Sequence, residues 1–369
     1  MIIGVLSDTH QDKMNALPHV MREFKNRKVE LIIHCGDIDE KHINPDLFLG
    51  LPVILAITED DIKSGKPVFK NSPSGWVYTF PKDRVRYIQN ARLGVYVGHR
   101  RSFDFLTGSE EELMQTIHEI RKQHDSIRWL FSGHTHHQIY CQTKLANFIN
   151  PGAIEYSFDG YEFSVIDTET NEVVFSRIPA TKPTIQPFSI GIISDSANIS
   201  ELDPDFWRKL AEEFKKRNVG WIVHCGNIKT DDIGKEEFEG LDVYYNLHKN
   251  QRKKPGPERW RLIDPENPVF EINGYRFYVQ HDLGATLLGE SEIGMHRLCL
   301  KLRQKYPDLS FVFCGLTNNA FLEEGEQIRI VNPGDIIRDR NFAVVCLPRT
   351  EITFGHVPVD PLPPLDSLD

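Results

Sequence analysis

Short apolar runs alternate with amphipathic stretches along this chain, and several of the runs end abruptly in Gly, Asp or His. Ile2 to Leu6 reads as a first strand, and the pattern from about Asn15 to Arg27 as a helix. Glu30 to Cys35 predicts a second strand, Asn44-Pro45 opens a short helical region, and Val53 to Ile57 predicts a third strand. A Pro-, Gly- and Ser-rich excursion from Ser64 to Gly75 then breaks the rhythm. Strand-like Gly94 to Val97, an amphipathic stretch from Glu110 to His124 and the buried run Ile127 to Phe131 follow. Asn147 to Ile149, Tyr161 to Asp167 and Glu172 to Ile178 read as antiparallel strands, with turns such as Asp159-Gly160. Strand-helix alternation succeeded by strands alone predicts an α/β domain with mixed sheets.

After residues 181–187, which carry two prolines and no apolar periodicity, the pattern starts again. Ile2-Ile3-Gly4-Val5-Leu6-Ser7-Asp8 recurs as Ile190-Gly191-Ile192-Ile193-Ser194-Asp195, and Ile33-His34-Cys35-Gly36-Asp37 as Val223-His224-Cys225-Gly226-Asn227. Phe131-Ser132-Gly133 returns as Phe313-Cys314-Gly315, and Asn150-Pro151-Gly152 as Asn332-Pro333-Gly334. Landmarks repeating at a near-constant spacing of about 180–190 residues mark a duplicated domain rather than a solenoid. The expected organisation is a domain over residues 1–180, a linker at 181–187, a second copy over 188–357 and a disordered tail at 358–369.

The chain's 369 residues suit two domains, and its 40% hydrophobic and 26% charged content is that of a soluble globular protein. No apolar run approaches the roughly 18 residues of a membrane span. The N-terminus reads as a strand, without a basic region or a small-residue cleavage site. The six cysteines are scattered, which fits a reducing cytoplasm. A net charge of −10 disfavours nucleic acid and anionic membranes as partners. The basic run Lys249 to Lys254 reads as solvated loop rather than a phosphate track, and Arg100 and Arg101 as solvated loop or, alternatively, a grip on a phosphate after His99.

Candidate chemistry gathers at the predicted strand ends. Asp8 and His10 follow the first strand, Asp37 the second, Glu59, Asp60 and Asp61 the third, and His99 the strand Gly94 to Val97. His134 and His136 follow Phe131, two residues apart and so on one side of extended chain. Carboxyl ends of strands in open α/β sheets form the crevice where ligands bind. Carboxylates and imidazoles without thiolates suit Mn, Fe, Zn or Ni rather than a structural zinc. His34 and His224, inside strands, read as satisfied core histidines, and Asn150-Pro151-Gly152 as a turn shaping the site rim.

Asp8-Thr9-His10, Gly36-Asp37 and Gly133-His134-Thr135-His136, followed by Asn150-Pro151-Gly152, resemble the calcineurin-like metallophosphoesterase signature. The pattern is similar to that of small single-domain bacterial and archaeal phosphodiesterases, and of the retromer subunit of the same fold. The resemblance implies two tandem four-layer αββα sandwiches and a centre of two divalent metal ions, Mn foremost. It assigns Asp8, His10 and His136 to one metal and His134 to the other, with Asp37 bridging. Two positions depart from the family. Its usual Gly-Asn is replaced here by Thr58-Glu59-Asp60-Asp61, with Asp60 (or Glu59 after a one-residue slip) aligned as ligand. Its usual His-Gly-His reads Val97-Gly98-His99, so His99 is the candidate ligand there. Asp61 or His99 would protonate a leaving group.

In the second copy, Asp195 persists, but Ala197 stands for His10, Asn227 for Asp37 and Leu316-Thr317-Asn318 for the His-Thr-His triplet. His281 matches His99, and Asn250 matches Asp60. The reading is a metal-dependent phosphodiesterase acting on a small phosphoester, with a degenerate second copy. The alternative is a non-catalytic scaffold of the same fold. A protein partner on the second copy, or a homo-oligomer, is compatible with either.

Overall fold

The structure is a computed structural model that describes residues 1–13, 15–39, 43–63, 73–88, 93–99, 110–155, 160–179, 185–197, 199, 203–228, 237–247, 258–264, 266–283, 292–315, 319–325 and 328–359. Arg100, Arg101, the run Lys249 to Lys254 with Asn250, the triplet Leu316-Thr317-Asn318 and the tail from Asp360 lie outside the described residues.

The first copy contributes β1 (Ile2–Leu6), β2 (Leu31–His34), β3 (Val53–Ala56), β4 (Trp76–Thr79), β5 (Val85–Ile88) and β6 (Leu93–Val97). It continues with β7 (Ile127–Phe131), β8 (Gln138–Gln142), β9 (Asn147–Pro151), β10 (Gly160–Asp167) and β11 (Glu172–Pro179). Its helices are α1 (Leu17–Asn26), α2 (Glu59–Lys63) and α3 (Glu110–Gln123), with a 3-10 turn at Pro45–Phe48. The second copy repeats the series as β12 (Phe188–Ile193), β13 (Val219–His224), β14 (Asp242–Tyr245), β15 (Trp260–Leu262), β16 (Val269–Ile272) and β17 (Tyr275–Gln280). It ends with β18 (Leu309–Cys314), β19 (Phe321–Gly325), β20 (Ile328–Asn332), β21 (Asn341–Leu347) and β22 (Glu351–His356). Its helices are α4 (Phe206–Lys216) and α5 (Glu292–Lys305).

These strands form two face-to-face sheets. Trp129 and Phe131 of β7 point into the cluster between the sheets, while Ile127 and Leu130 pack with Ile117 of α3 on the outer face. Burial on both faces is why β7 reads as a continuous apolar run. Helix α1 covers the other sheet with Leu17, Val20, Met21 and Phe24. Gly4 allows this contact, since a Cβ there would stand 2.6 Å from the Phe24 ring. The layers run helix, sheet, sheet, helix.

The copies do not sit side by side as separate sandwiches, for each sheet runs through both. One has the order β15-β14-β13-β12-β21-β22-β11-β10-β1-β2-β3-β4, the other β16-β17-β18-β20-β19-β8-β9-β7-β6-β5. The joining pairs are symmetric. β11 meets β22 with Val174 opposite Thr353, flanked by Val173–Phe354 and Phe175–Ile352. β8 meets β19 with Tyr140 opposite Leu322, flanked by Cys141–Phe321 and Ile139–Glu323. Two ion pairs cross the seam in the same reciprocal way, Arg27 to Glu351 at 2.5 Å and Arg217 to Glu172. This is the arrangement of a two-fold dimer, in which i contacts j and j contacts i, built within one chain. No described helix is long and apolar enough to cross a membrane.

Candidate metal centre

β1 and β2 run parallel, with Leu6 opposite His34, so Asp8 and Asp37 leave the sheet at neighbouring strand ends. Hydrogen bonds from Asp8 N to Gly36 O (3.1 Å) and from His10 N to Asp37 O (3.0 Å) lock the two turns together. In the facing sheet, β6 and β7 are also parallel and deliver His99 and the His134–His136 loop to the same end of the sandwich. Gly36 (φ 107°) is what lets the sheets close here, because a Cβ would lie 2.7 Å from that of His99.

Asp8, His10, Asp37, His134 and His136 all have positive φ, between 45° and 80°. Such backbone is uncommon outside glycine and concentrates where function over-determines the local conformation. The side chains converge accordingly. Asp8, His10 and His136 present ligand atoms within 4.8 Å of one another, and so do Asp8, Asp37 and His99. Asp8 belongs to both groups. Asp37 Oδ2 also touches both, at 3.5 Å from His10 Nδ1 and 3.9 Å from His99 Nε2.

The donor set fits cations. Asp8 Oδ1 is buried and accepts no well-formed hydrogen bond from the described residues, yet it faces His136 Nε2 at 3.3 Å and His99 Nε2 at 3.8 Å. The other oxygen, Oδ2, accepts from the backbone N–H of His134 at 3.0 Å. His99 Nδ1 lies 2.9 Å from the Cys35 carbonyl, which can only accept, so Nδ1 carries a proton and Nε2 faces the carboxylates. Burial pushes the Asp8 carboxyl up, but the close approach of His136 and the charge of His99 outweigh it and hold it down at about 2. The proximity of Asp8 in turn raises His136. An anionic, buried carboxylate ringed by imidazoles suits a divalent cation.

Two neighbours hold the frame. His34 Nδ1 accepts from Gly36 N at 3.1 Å, which leaves Nε2–H to donate to Thr9 Oγ1 at 3.1 Å. His224 makes the same bonds to Gly226 and Ser196. These are the satisfied core histidines expected from the strands; burial holds both down at about 3 and keeps them neutral. Asn150 Nδ2 donates to Gly133 O (3.2 Å) and Thr135 Oγ1 (2.9 Å), so the Asn-Pro-Gly turn anchors the ligand loop from below.

The structure brings Asp60 and Asp61 to neither group. Glu59 and Asp60 are exposed on α2. Asp61 sits in a capping box: its Oδ2 accepts from Thr58 N (3.0 Å) and Thr58 Oγ1 (2.5 Å), and Asp61 N donates to Thr58 Oγ1 (3.0 Å). The Thr-x-x-Asp spacing starts a helix in the segment where the resemblance aligns Asp60 (or Glu59) as a ligand and leaves Asp61 as a candidate acid. His134 joins neither group as a ligand atom; its ring lies 5.4 Å from that of His99. Glu162 and Glu155, both buried near the ligand loop, are absent from the sequence reading. The only available signal was a lone charge inside the apolar run of β10 for Glu162.

The second copy is built differently. Asp195 Oδ1 accepts from His281 Nε2 (2.9 Å) and Asn227 Nδ2 (3.1 Å), and Oδ2 accepts from Ser194 Oγ (2.7 Å). Protein donors fill the coordination that Asp8 leaves open.

A family model, the calcineurin-like phosphoesterase superfamily domain, matches residues 1–172 and 188–348. The chain belongs to that superfamily, as two tandem copies. A probable metallophosphoesterase of Methanocaldococcus jannaschii is 30% identical over 155 residues, covering 42% of this chain and 68% of that protein. A phosphodiesterase of the same organism is 27% identical over 154 residues, covering 40% of this chain and 82% of that protein. Among solved structures, an archaeal phosphodiesterase matches at 22% identity with a TM-score of 0.37, covering 48% of this chain and all 100% of that one. Vps29 of Entamoeba histolytica matches at 15% identity with a TM-score of 0.32, over 50% of this chain and 96% of that one.

Proposed function

We propose that this chain is a metal-dependent phosphodiesterase whose centre lies in the first copy, residues 1–180, while the second, residues 188–357, has lost the chemistry. The observation that carries this reading is the pair of ligand groups sharing Asp8. Asp8, His10 and His136 would hold one divalent cation and Asp8, Asp37 and His99 another, with Asp37 Oδ2 within reach of both. Two such ions, when bound, supply Lewis-acid charge that acidifies water and neutralises phosphoryl oxygens.

The chain's own residues do the rest. Buried Asp8 and His99 form the floor and keep water from behind the ions, while half-exposed Asp37 stands at the mouth where substrate enters. With Asp60 outside the groups, two carboxylates face two divalent charges, a net of about +2 before any nucleophile. That is a stronger attraction for an anionic ester than the net of about +1 that a third carboxylate from Asp60 would leave. A single negative charge is what a diester offers, and one relative is named a phosphodiesterase. The self-contained network around Asp195 supports the loss of function in the second copy. Six free cysteines fit a cytoplasmic setting.

The test is elemental analysis of the full chain together with turnover of aryl phosphodiesters and monoesters in Mn, Fe, Zn and Ni. About two metals per chain and a diester preference are expected. A chain inactive on both ester classes with all four metals would be a scaffold instead.

A further inference from the structure

The seam between the copies is symmetric in its backbone but not in its chemistry. On one side four charged residues are buried together: Glu162 on β10 and Arg177 on β11 from the first copy, Glu324 on β19 and Arg329 on β20 from the second. Arg177 reaches both Glu162 and Glu324, at 2.5 Å to the latter; Arg329 lies 3.3 Å from Glu162 and 3.5 Å from Glu324. The mirror positions are neutral, with Asn341 Nδ2 donating to Gln142 Oε1 at 2.8 Å. The correspondence is visible at the glycines. A Cβ on Gly152 would overlap Glu162 Oε2, and one on Gly334 would stand 2.8 Å from Asn341 Nδ2. So a buried carboxyl group lies behind the turn of the intact site, and an amide behind the turn of the lost one.

We propose that Arg329, supplied by the second copy, is a positioning residue for the metal-ligand loop of the first, acting through Glu162 and the Asn150–Gly152 turn. The inference rests on the metal reading above. The contacts are continuous. Arg329 Nη2 donates to Glu162 Oε1 at 3.3 Å, and Glu162 packs against Gly152. Gly152 N donates to Asn150 Oδ1 (3.0 Å), and Asn150 Nδ2 holds Gly133 and Thr135 on either side of His134. The same segment reaches Asp8: Glu162 N donates to Ala153 O, and Glu155 N to Asp8 O, each at 3.1 Å.

Removing Arg329 would leave two buried carboxylates with one guanidinium. Glu162 would then be held by Arg177 alone, and the turn it braces would relax. This gives the degenerate copy a task that its lost ligands do not touch.

The experiment is Mn2+ titration calorimetry on the full chain, with melting curves and steady-state kinetics on an aryl diester. Arg329→Met is expected to weaken Mn2+ binding about tenfold, in the range of outer-shell substitutions, and to lower kcat more than it raises KM. R329K should recover most of the loss. The pair E162Q/R329Q, which removes one charge of each sign and leaves Arg177 paired with Glu324, is expected to fold and still to bind about tenfold more weakly; it carries the test if R329M does not fold. Gln142→Met breaks the seam on the other side and should lower the melting temperature while leaving Mn2+ affinity within about twofold. Wild-type affinity in R329M or in E162Q/R329Q, or an equal loss in Q142M, would overturn the positioning role. A wild-type chain that binds no Mn2+ would overturn the metal reading itself.

Discussion

Asp8→Asn isolates the electrostatics of the centre from its chemistry. The amide keeps the volume and can still accept the His134 N–H, but it removes the buried charge that His136 and His99 surround. In metal-free protein the depression of the Asp8 carboxyl from 3.8 to about 2 corresponds to about 2 kcal/mol favouring the ionised folded state. Because the folded value lies below the unfolded one, that contribution is complete above pH 3.8 and disappears as pH falls through about 2. Chelator-treated wild type should therefore exceed D8N by about 2 kcal/mol between pH 5 and 7, with the gap closing below about pH 4. Saturating Mn2+ should widen the gap at pH 7 by a further ~2.7 kcal/mol at a hundredfold excess over Kd, since D8N lacks the shared ligand. Urea unfolding followed by circular dichroism across this pH range measures both terms. A gap independent of pH, or one unchanged by Mn2+, would refute the assignment of Asp8 as an ionised ligand common to both groups.

Other substitutions separate chemistry from framework. Asp37→Asn should lower diester turnover by at least about a hundredfold while circular dichroism stays native, because Asn227 occupies the same turn at φ 57° in the second copy. His281→Ala should reduce stability, read by thermal melting, without changing metal content or kcat. His34→Leu leaves the Gly36 N–H without its acceptor and should cost about 1–3 kcal/mol in urea unfolding. Thr58→Ala and Asp61→Ala should each cost about 1 kcal/mol and the double variant little more, since both remove one capping box.

Much of the fold is legible in the one-dimensional pattern. The runs Ile2 to Leu6, Leu31 to His34 and Ile127 to Phe131 are strands because strands buried on both faces are mostly apolar, with exposed Arg128 the exception in β7, and the observed ends fall within a residue or two of the expected ones. Duplication is equally legible, since repeated landmarks need no knowledge of contacts. Asp8, His10, Asp37, His99 and His136 can be nominated from the sequence because residues at the carboxyl ends of strands are placed by local order along the chain, and in the fold their side chains converge. Asp61, a candidate acid from the sequence, caps a helix in the fold: a carboxylate three residues after Thr58 suits either role locally, and only the tertiary structure shows its hydrogen bonds. Periodicity says which face of a strand is buried but not which strand lies beside it. The joining of β11 to β22 and β8 to β19 was therefore invisible, and with it the quartet around Glu162 and Arg329. Those residues stand 167 positions apart in the chain, and their meeting follows from two sheet edges that each need a partner.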